Sequence, residues 1–147
     1  MCPQAGPAAG FDPPERVSVA GTEAAITWAR ANIPDFGWFP ELYLLFLCGH
    51  RGDEALRRAV WLGPAVTLDD FVAWPDFSLG YAPPGGVDAV MLLVCRPGAG
   101  VEPTAGDQRV LGLLQLAHDA RGVPLCDVVL IDGRRWRSMA ARGPTGR

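Results

Sequence analysis

Lysine is absent from this chain: all thirteen basic residues among its 147 are arginine. A phosphate-cradling P-loop lysine, a Schiff-base lysine and a lysine general base are thereby excluded. Histidine is nearly absent, with only His50 and His118. The cysteines at positions 2, 48, 95 and 126 show neither a C-x-x-C pair nor zinc-ribbon spacing. Three of them lie in or beside apolar runs, where a free thiol behaves as a small hydrophobe, so reduced thiols are expected. No apolar run approaches the length of a membrane span. The opening MCPQAGPAAGFDPP lacks the basic and apolar regions of a signal peptide. A cytoplasmic chain without membrane contact is the expectation. The net charge of −3 gives no global attraction to nucleic acid or anionic lipid.

What is present is the composition of a packed domain. Hydrophobic residues make up 49% and charged residues 20%, enough to bury a core without disulfides or metals. Residues 1–16 are rich in Pro, Gly and Ala without periodicity and read as a flexible arm. Residues 17–140 read as one domain, and 141–147 as a disordered tail. Within the domain, Ser18 to Ile33 carries a loose helical spacing with Thr22 as a candidate cap and Pro34 as its stop. ELYLLFLC, Glu41 to Cys48, has strand length and apolar character, and Ala55 to Leu62 reads as its antiparallel partner. Thr67 to Asp70 fits a capping box before a short helix that Pro75 ends.

Tyr81 to Gly86 reads as a loop. Val87 to Cys95 is apolar on both faces, as a central strand is. Asp107 to Arg121 predicts a helix with Val110, Leu113, Leu114 and Ala117 as its apolar stripe and Gly122 as its stop. Leu125 to Ile131, a turn at Asp132-Gly133, and Arg134 to Met139 predict a closing hairpin. The fold class expected is α/β (α+β), a mixed central sheet flanked by helices.

Between the central strand and the long helix lies VCRPGAGVEPTAGDQ, Val94 to Gln108. Strand, Gly/Pro-rich loop and helix start form the frame in which α/β proteins commonly hold their chemistry, yet this loop has no histidine and no nucleophile with a base beside it. The element order and this loop resemble the JAB/MPN (JAMM) fold, and residues 89–143 resemble its RadC-like branch. That family writes H-N-H-P-S-G-D-P-x-P-S-x-x-D before an amphipathic helix and a strand-turn-strand. This chain writes V94-C-R-P-G-A-G-V-E-P-T-A-G-D107 without a gap, keeping Pro97 and Pro103.

The resemblance implies that Glu41 stands where active members hold the general base, Thr104 where they hold the oxyanion-stabilising Ser, and Asp107 where they hold the aspartate zinc ligand. Val94 and Arg96 stand at the two zinc-binding His positions. Val has no lone pair, and Arg remains protonated without an acceptor, so neither binds zinc. Cys95 points to the opposite strand face from both. The expectation is a degenerate site with no metal and no cofactor, in which Arg96 replaces the ion and clamps Asp107, with Glu41 as a further partner of the cluster.

Each residue also has a plainer reading. T-x-x-D is a helix capping box and needs no function. A Glu leading an apolar strand is usually only at the surface. RRWR, Arg134 to Arg137, fits an edge strand whose charges deter sheet-to-sheet pairing better than a nucleic-acid patch. Trp28, Trp38, Trp61 and Trp74 fit core or rim rather than a base-stacking platform. The function expected is a catalytically inactive JAB/MPN domain that binds or scaffolds a protein partner or a second copy. Two alternatives stand: a diverged metal-dependent hydrolase with an unrecognised ligand set, and nucleic-acid binding through the Arg-rich hairpin.

Overall fold

Glu41 to Cys48 is an eight-residue segment in which every position between the two termini is buried. A strand exposes alternate residues to opposite faces, so a run apolar at every position requires cover on both sides. That requirement organises the chain. The structure is a computed structural model describing residues 10–50, 52–64 and 79–139. The short helix expected between Thr67 and Pro75, together with Trp74, Cys2 and the tail 141–147, lies outside these residues.

In chain order the elements are β1 (Gly10–Phe11), α1 (Thr22–Asn32), β2 (Glu41–Cys48), β3 (Ala55–Gly63), β4 (Ala89–Cys95), α2 (Ala105–Ala120), β5 (Leu125–Asp132) and β6 (Arg135–Ser138). The six strands form one sheet in the order β1-β3-β2-β4-β5-β6. β4 and β5 are parallel and joined through α2, and every other neighbouring pair is antiparallel. This is a single α+β domain with a mixed sheet and, among the described residues, two helices.

The sheet separates two apolar layers. On one face Tyr43, Leu45, Leu47, Met91, Leu93, Cys95, Val129 and Ile131 pack with Ala25, Ile26, Trp28 and Ala29 of α1. On the other, Leu42, Leu44, Phe46, Val90, Leu92, Val94, Val128 and Leu130 pack with Val110, Leu111 and Leu114 of α2. Fully burying a leucine of this kind stabilises a fold by about 1.5–3 kcal/mol. The two central strands therefore hold much of the stability.

Several expectations are corrected here. α1 begins at Thr22, with Gly21 at its N-cap and no side-chain cap. The Thr22 hydroxyl instead donates to Asp127 Oδ2 at 2.5 Å. The buried stripe of α2 is Asp107, Val110, Leu111, Leu114 and His118, whereas Leu113 is 46% exposed. The sheet meets α2 about one residue further round the helix than the apolar count suggests. The closing turn is Gly133-Arg134, with Asp132 paired to Arg135. Gly133, at φ +60°, takes the first central position of a II′-type hairpin, which favours glycine.

Part of the supposed N-terminal arm also belongs to the domain. Gly10 and Phe11 pair with Val60 and Ala59 of β3, and the Phe11 and Trp28 rings lie 5.9 Å apart. Asp12 forms a 2.6 Å ion pair with Arg58. The composition of residues 10–16 is that of a loop, but the open edge of β3 supplies backbone partners that composition cannot reveal.

Candidate functional site

The loop between β4 and α2 is fixed at both ends. Its first residue, Arg96, donates its backbone N–H to the Ile131 carbonyl at 2.9 Å. Gly98 and Gly100 donate their N–H groups to Asp132 Oδ1 and Oδ2, each at 2.9 Å. These amide bonds, with Arg135 assisting, hold the Asp132 carboxyl below the usual carboxylate range. Asp132 thus anchors the loop from the end of β5. Local pattern marks it only as a turn residue, because its partners are backbone groups more than thirty residues away.

At the far end, Thr104 caps α2. Asp107 N–H donates to Thr104 Oγ1 at 3.0 Å, and Thr104 N–H donates to Asp107 Oδ2 at 2.9 Å. The capping box is complete, which satisfies two donors that a helix start leaves unpaired. The same Asp107 oxygen lies 3.0 Å from Arg96 Nη1, with the two side chains only 11% and 15% exposed. Arg96 Nη2 also donates to the Glu102 carbonyl at 3.3 Å, while its buried Nε–H has no partner. Glu102 extends the arrangement outward through a 2.8 Å ion pair with Arg137. One guanidinium therefore ties the strand end, the loop and the first turn of the helix together.

Val94 is buried in the α2-side layer, as its parity with Arg96 requires. Glu41 does not join the cluster. It pairs in register with Cys95, and Leu42 with Val94, and directly opposed residues share a face. Its carboxylate therefore belongs to the α1 side, where Oε1 accepts a 2.6 Å hydrogen bond from the Tyr43 hydroxyl. Burial first, and this bond second, raise the Tyr43 pKa well above the ordinary phenol value. The three-residue cluster of Glu41, Arg96 and Asp107 is corrected to the pair Arg96 and Asp107. Alternation along β2 and β4, aligned by their register, is the physical reason.

The remaining candidates are dispersed. Cys95 is buried in the α1-side layer. Burial pushes its thiol up to about 12, a Gly37 backbone hydrogen bond opposing and the Glu41 carboxylate reinforcing that shift. Buried on the opposite sheet face from Asp107, this protonated thiol is a weak nucleophile. His50 is exposed in the β2–β3 turn, at the opposite end of β2 from Glu41. His118 is fully buried late in α2. Among the described residues no group of three or more His, Cys, Asp or Glu side chains could hold a metal ion. The donor set around Asp107 does not fit zinc, since a cation occupies one expected ligand position and an aliphatic chain the other.

Two arginines of the closing hairpin are also engaged through their side chains. Arg135 pairs with Asp132 at 3.1 Å and Arg137 with Glu102, while the Arg134 carbonyl accepts from Arg30 at 2.6 Å. Trp136 packs against the α1-side layer, as does Trp61. Trp38 is 58% exposed and lies over Gly133, where any Cβ would meet its ring at 2.9 Å.

At the other end of the sheet, a cleft of about 780 Å³ is lined by Thr22, Glu54, Asp88, Cys126 and Asp127, among others. Asp88 Oδ2 accepts from Gly49 N–H at 2.7 Å. Asp127, buried among apolar neighbours, accepts from the Thr22 and Ser138 hydroxyls. A lone carboxylate inside the apolar run LCDVVLID is the sequence signal for Asp127.

No helix among the described residues is long and apolar enough to cross a membrane. No protein-family model matches the chain, and no curated protein matches it.

Proposed function

We propose that the chain is a non-catalytic, RadC-like JAB/MPN domain that works by binding or scaffolding a protein partner. One observation carries this reading: a guanidinium sits 3.0 Å from the Asp107 carboxylate, at the position where the resemblance puts a zinc-binding histidine. On this reading the loop and the aspartate position of a metal site are kept, and the cation is supplied covalently by Arg96. The element order and the ungapped loop from Val94 to Asp107 support the same reading. Hydrolysis faces a second obstacle. The carboxylate at the general-base position, Glu41, is bonded to Tyr43 on the other side of the sheet, so it cannot take a proton from a water beside Asp107.

Because Arg135 and Arg137 are paired with carboxylates, nucleic-acid binding through the hairpin is the weaker reading. The deciding experiment is metal analysis of the purified chain beside the double variant Val94→His with Arg96→His. The wild type is expected to hold no stoichiometric zinc, and the variant to gain zinc binding measurable by calorimetric titration. Tight stoichiometric zinc on the wild type would overturn the proposal and support a diverged metal-dependent hydrolase. A variant that folds but takes up no zinc would remove the family basis of the reading.

A further inference from the structure

Trp38 and Phe39 are 58% and 52% exposed, although the backbone that carries them is held in place. Phe36 beside them is buried. Trp38 N–H donates to the Asp35 carbonyl at 3.0 Å, and the Gly37 carbonyl accepts from Gly133 N–H at 2.9 Å. The Trp38 ring lies over Gly133 of the closing hairpin. Packing within the domain does not explain a pinned loop that keeps two neighbouring large rings in water.

Two arginines border the rings. Arg30, in the last turn of α1, donates through Nη2 to the Gly133 carbonyl at 3.3 Å and to the Arg134 carbonyl at 2.6 Å. Arg134 is exposed at the same hairpin turn. Neither arginine forms an ion pair among the described residues, in a chain with sixteen acidic residues for thirteen arginines. Of the carboxylates in the adjoining segments, Asp132 is bonded to Arg135 and two loop amides, and Glu41 to Tyr43. Asp35, the one acidic residue of the 33–40 loop, pairs with neither arginine.

We infer that Trp38, Phe39, Arg30 and Arg134 form the docking surface for a short acidic segment of a partner protein. An apolar side chain of that segment lies on the rings, and its carboxylates meet the guanidinium groups. Charge selects this occupant. Two cations gathered at one turn without a counter-ion favour an anionic ligand. Arg30 spends only Nη2 on the two carbonyls, so Nη1 and Nε keep donors for a carboxylate. Tryptophan and arginine are also the residues that most often carry binding energy at interfaces, and rings on a fixed loop lose little freedom on binding. The net charge of −3 disfavours an extended polyanion such as a nucleic acid or an anionic bilayer. A short segment meets only the local charge, because more distant groups are screened.

The inference rests on the binding reading above for the existence of a protein partner, and it uses no part of the Arg96–Asp107 pair. Panning the full chain against a phage-displayed library of random short peptides, then measuring the selected peptides by fluorescence anisotropy, tests it. The enriched sequences are expected to carry Asp or Glu beside an aromatic or aliphatic residue, and their binding to weaken as salt rises. Arg134→Glu and Trp38→Ala should each weaken binding by about tenfold or more with the melting temperature nearly unchanged, because both side chains are exposed. Arg109→Glu, on α2, should leave binding intact. A library that yields no binder overturns the inference. So do enriched peptides without acidic residues, or binding that survives both Arg134→Glu and Trp38→Ala. Phosphatidylglycerol vesicles or a DNA oligonucleotide binding more tightly than the peptides, through the same residues, would overturn it as well. The zinc measurement decides the family reading separately, whichever way these results fall.

Discussion

At its N-terminal end α2 buries Asp107 with partners in abundance: the Thr104 amide and the Arg96 guanidinium share one carboxylate oxygen. At its C-terminal end it buries His118 completely, and among the described residues neither ring nitrogen has a partner at full hydrogen-bond geometry. The backbone is well served at both ends. The capping box closes the first turn. At the last, Val123 N–H donates to the His118 carbonyl and Gly122 N–H to that of Asp119, a Schellman closure with Gly122 at φ +76°. The difference lies in the side chains. Local sequence satisfies a helix terminus wherever the right capping residue stands next in the chain. A buried side-chain group depends on what another element happens to bring, and β4 brings Arg96 to one end only.

The largest expected effect breaks the well-partnered end. Arg96→Ala leaves the Asp107 carboxylate largely buried beside a lost cation, which costs about 3 kcal/mol, the low end for a buried pair because both side chains keep some solvent contact. Arg135→Ala removes a pair whose arginine is 67% exposed, and should cost less than about 1 kcal/mol. Urea unfolding of the two variants compares them directly. Equal midpoints would mean that the Arg96 pair is no more than a surface contact.

At the unpartnered end the sign is reversed. Burial holds the His118 pKa below its ordinary value, Arg121 adding to this and the Val123 backbone and Asp119 opposing. The folded state therefore keeps the ring neutral at a pH where the unfolded chain already binds a proton. The stability linked to this group is fully present above about pH 6.5, the unfolded value, and is lost as pH falls from there toward the folded one. His118→Leu should remove that acid-side slope. At neutral pH it should also stabilise the domain, within the roughly 1–3 kcal/mol that an unsatisfied buried polar group costs. An unchanged slope between about pH 5 and 7 would show that other groups produce it.

The smallest effect lies away from both ends. A chain beginning at Val17 loses β1, the Phe11–Trp28 contact and the Asp12–Arg58 pair, together worth about 1–2 kcal/mol. The melting temperature should fall by about 2–4 °C for each kcal/mol lost. No change by calorimetry would mean that residues 10–16 dock without contributing.

Much of the framework was legible because it is written in short-range pattern. The apolar runs at Glu41 to Cys48 and Val87 to Cys95 announced central strands. Thr104 and Asp107, three residues apart, specified the capping box, and Gly122 marked the helix stop. Other features were not legible for particular reasons. Leu113 and Leu111 are the same residue type one turn-fraction apart, so counting leucines cannot say which one meets the sheet. Glu41 looked like a site residue because its position in the chain is right. Its side-chain direction depends on the register of β2 against β4, and nothing within either strand sets that register alone.

The sequence by itself determined the central strands, the long helix and the capping box that starts it, because these follow from local sterics and periodicity. Tertiary structure alone decided which face each group serves. It put Arg96 within 3.0 Å of Asp107 and Glu41 across the sheet from both, and it tied Gly98 and Gly100 to Asp132. It also left His118 buried without a side-chain hydrogen bond among the described residues. These are relations between segments far apart in the chain. They are fixed by strand register and layer packing, to which each segment contributes only half.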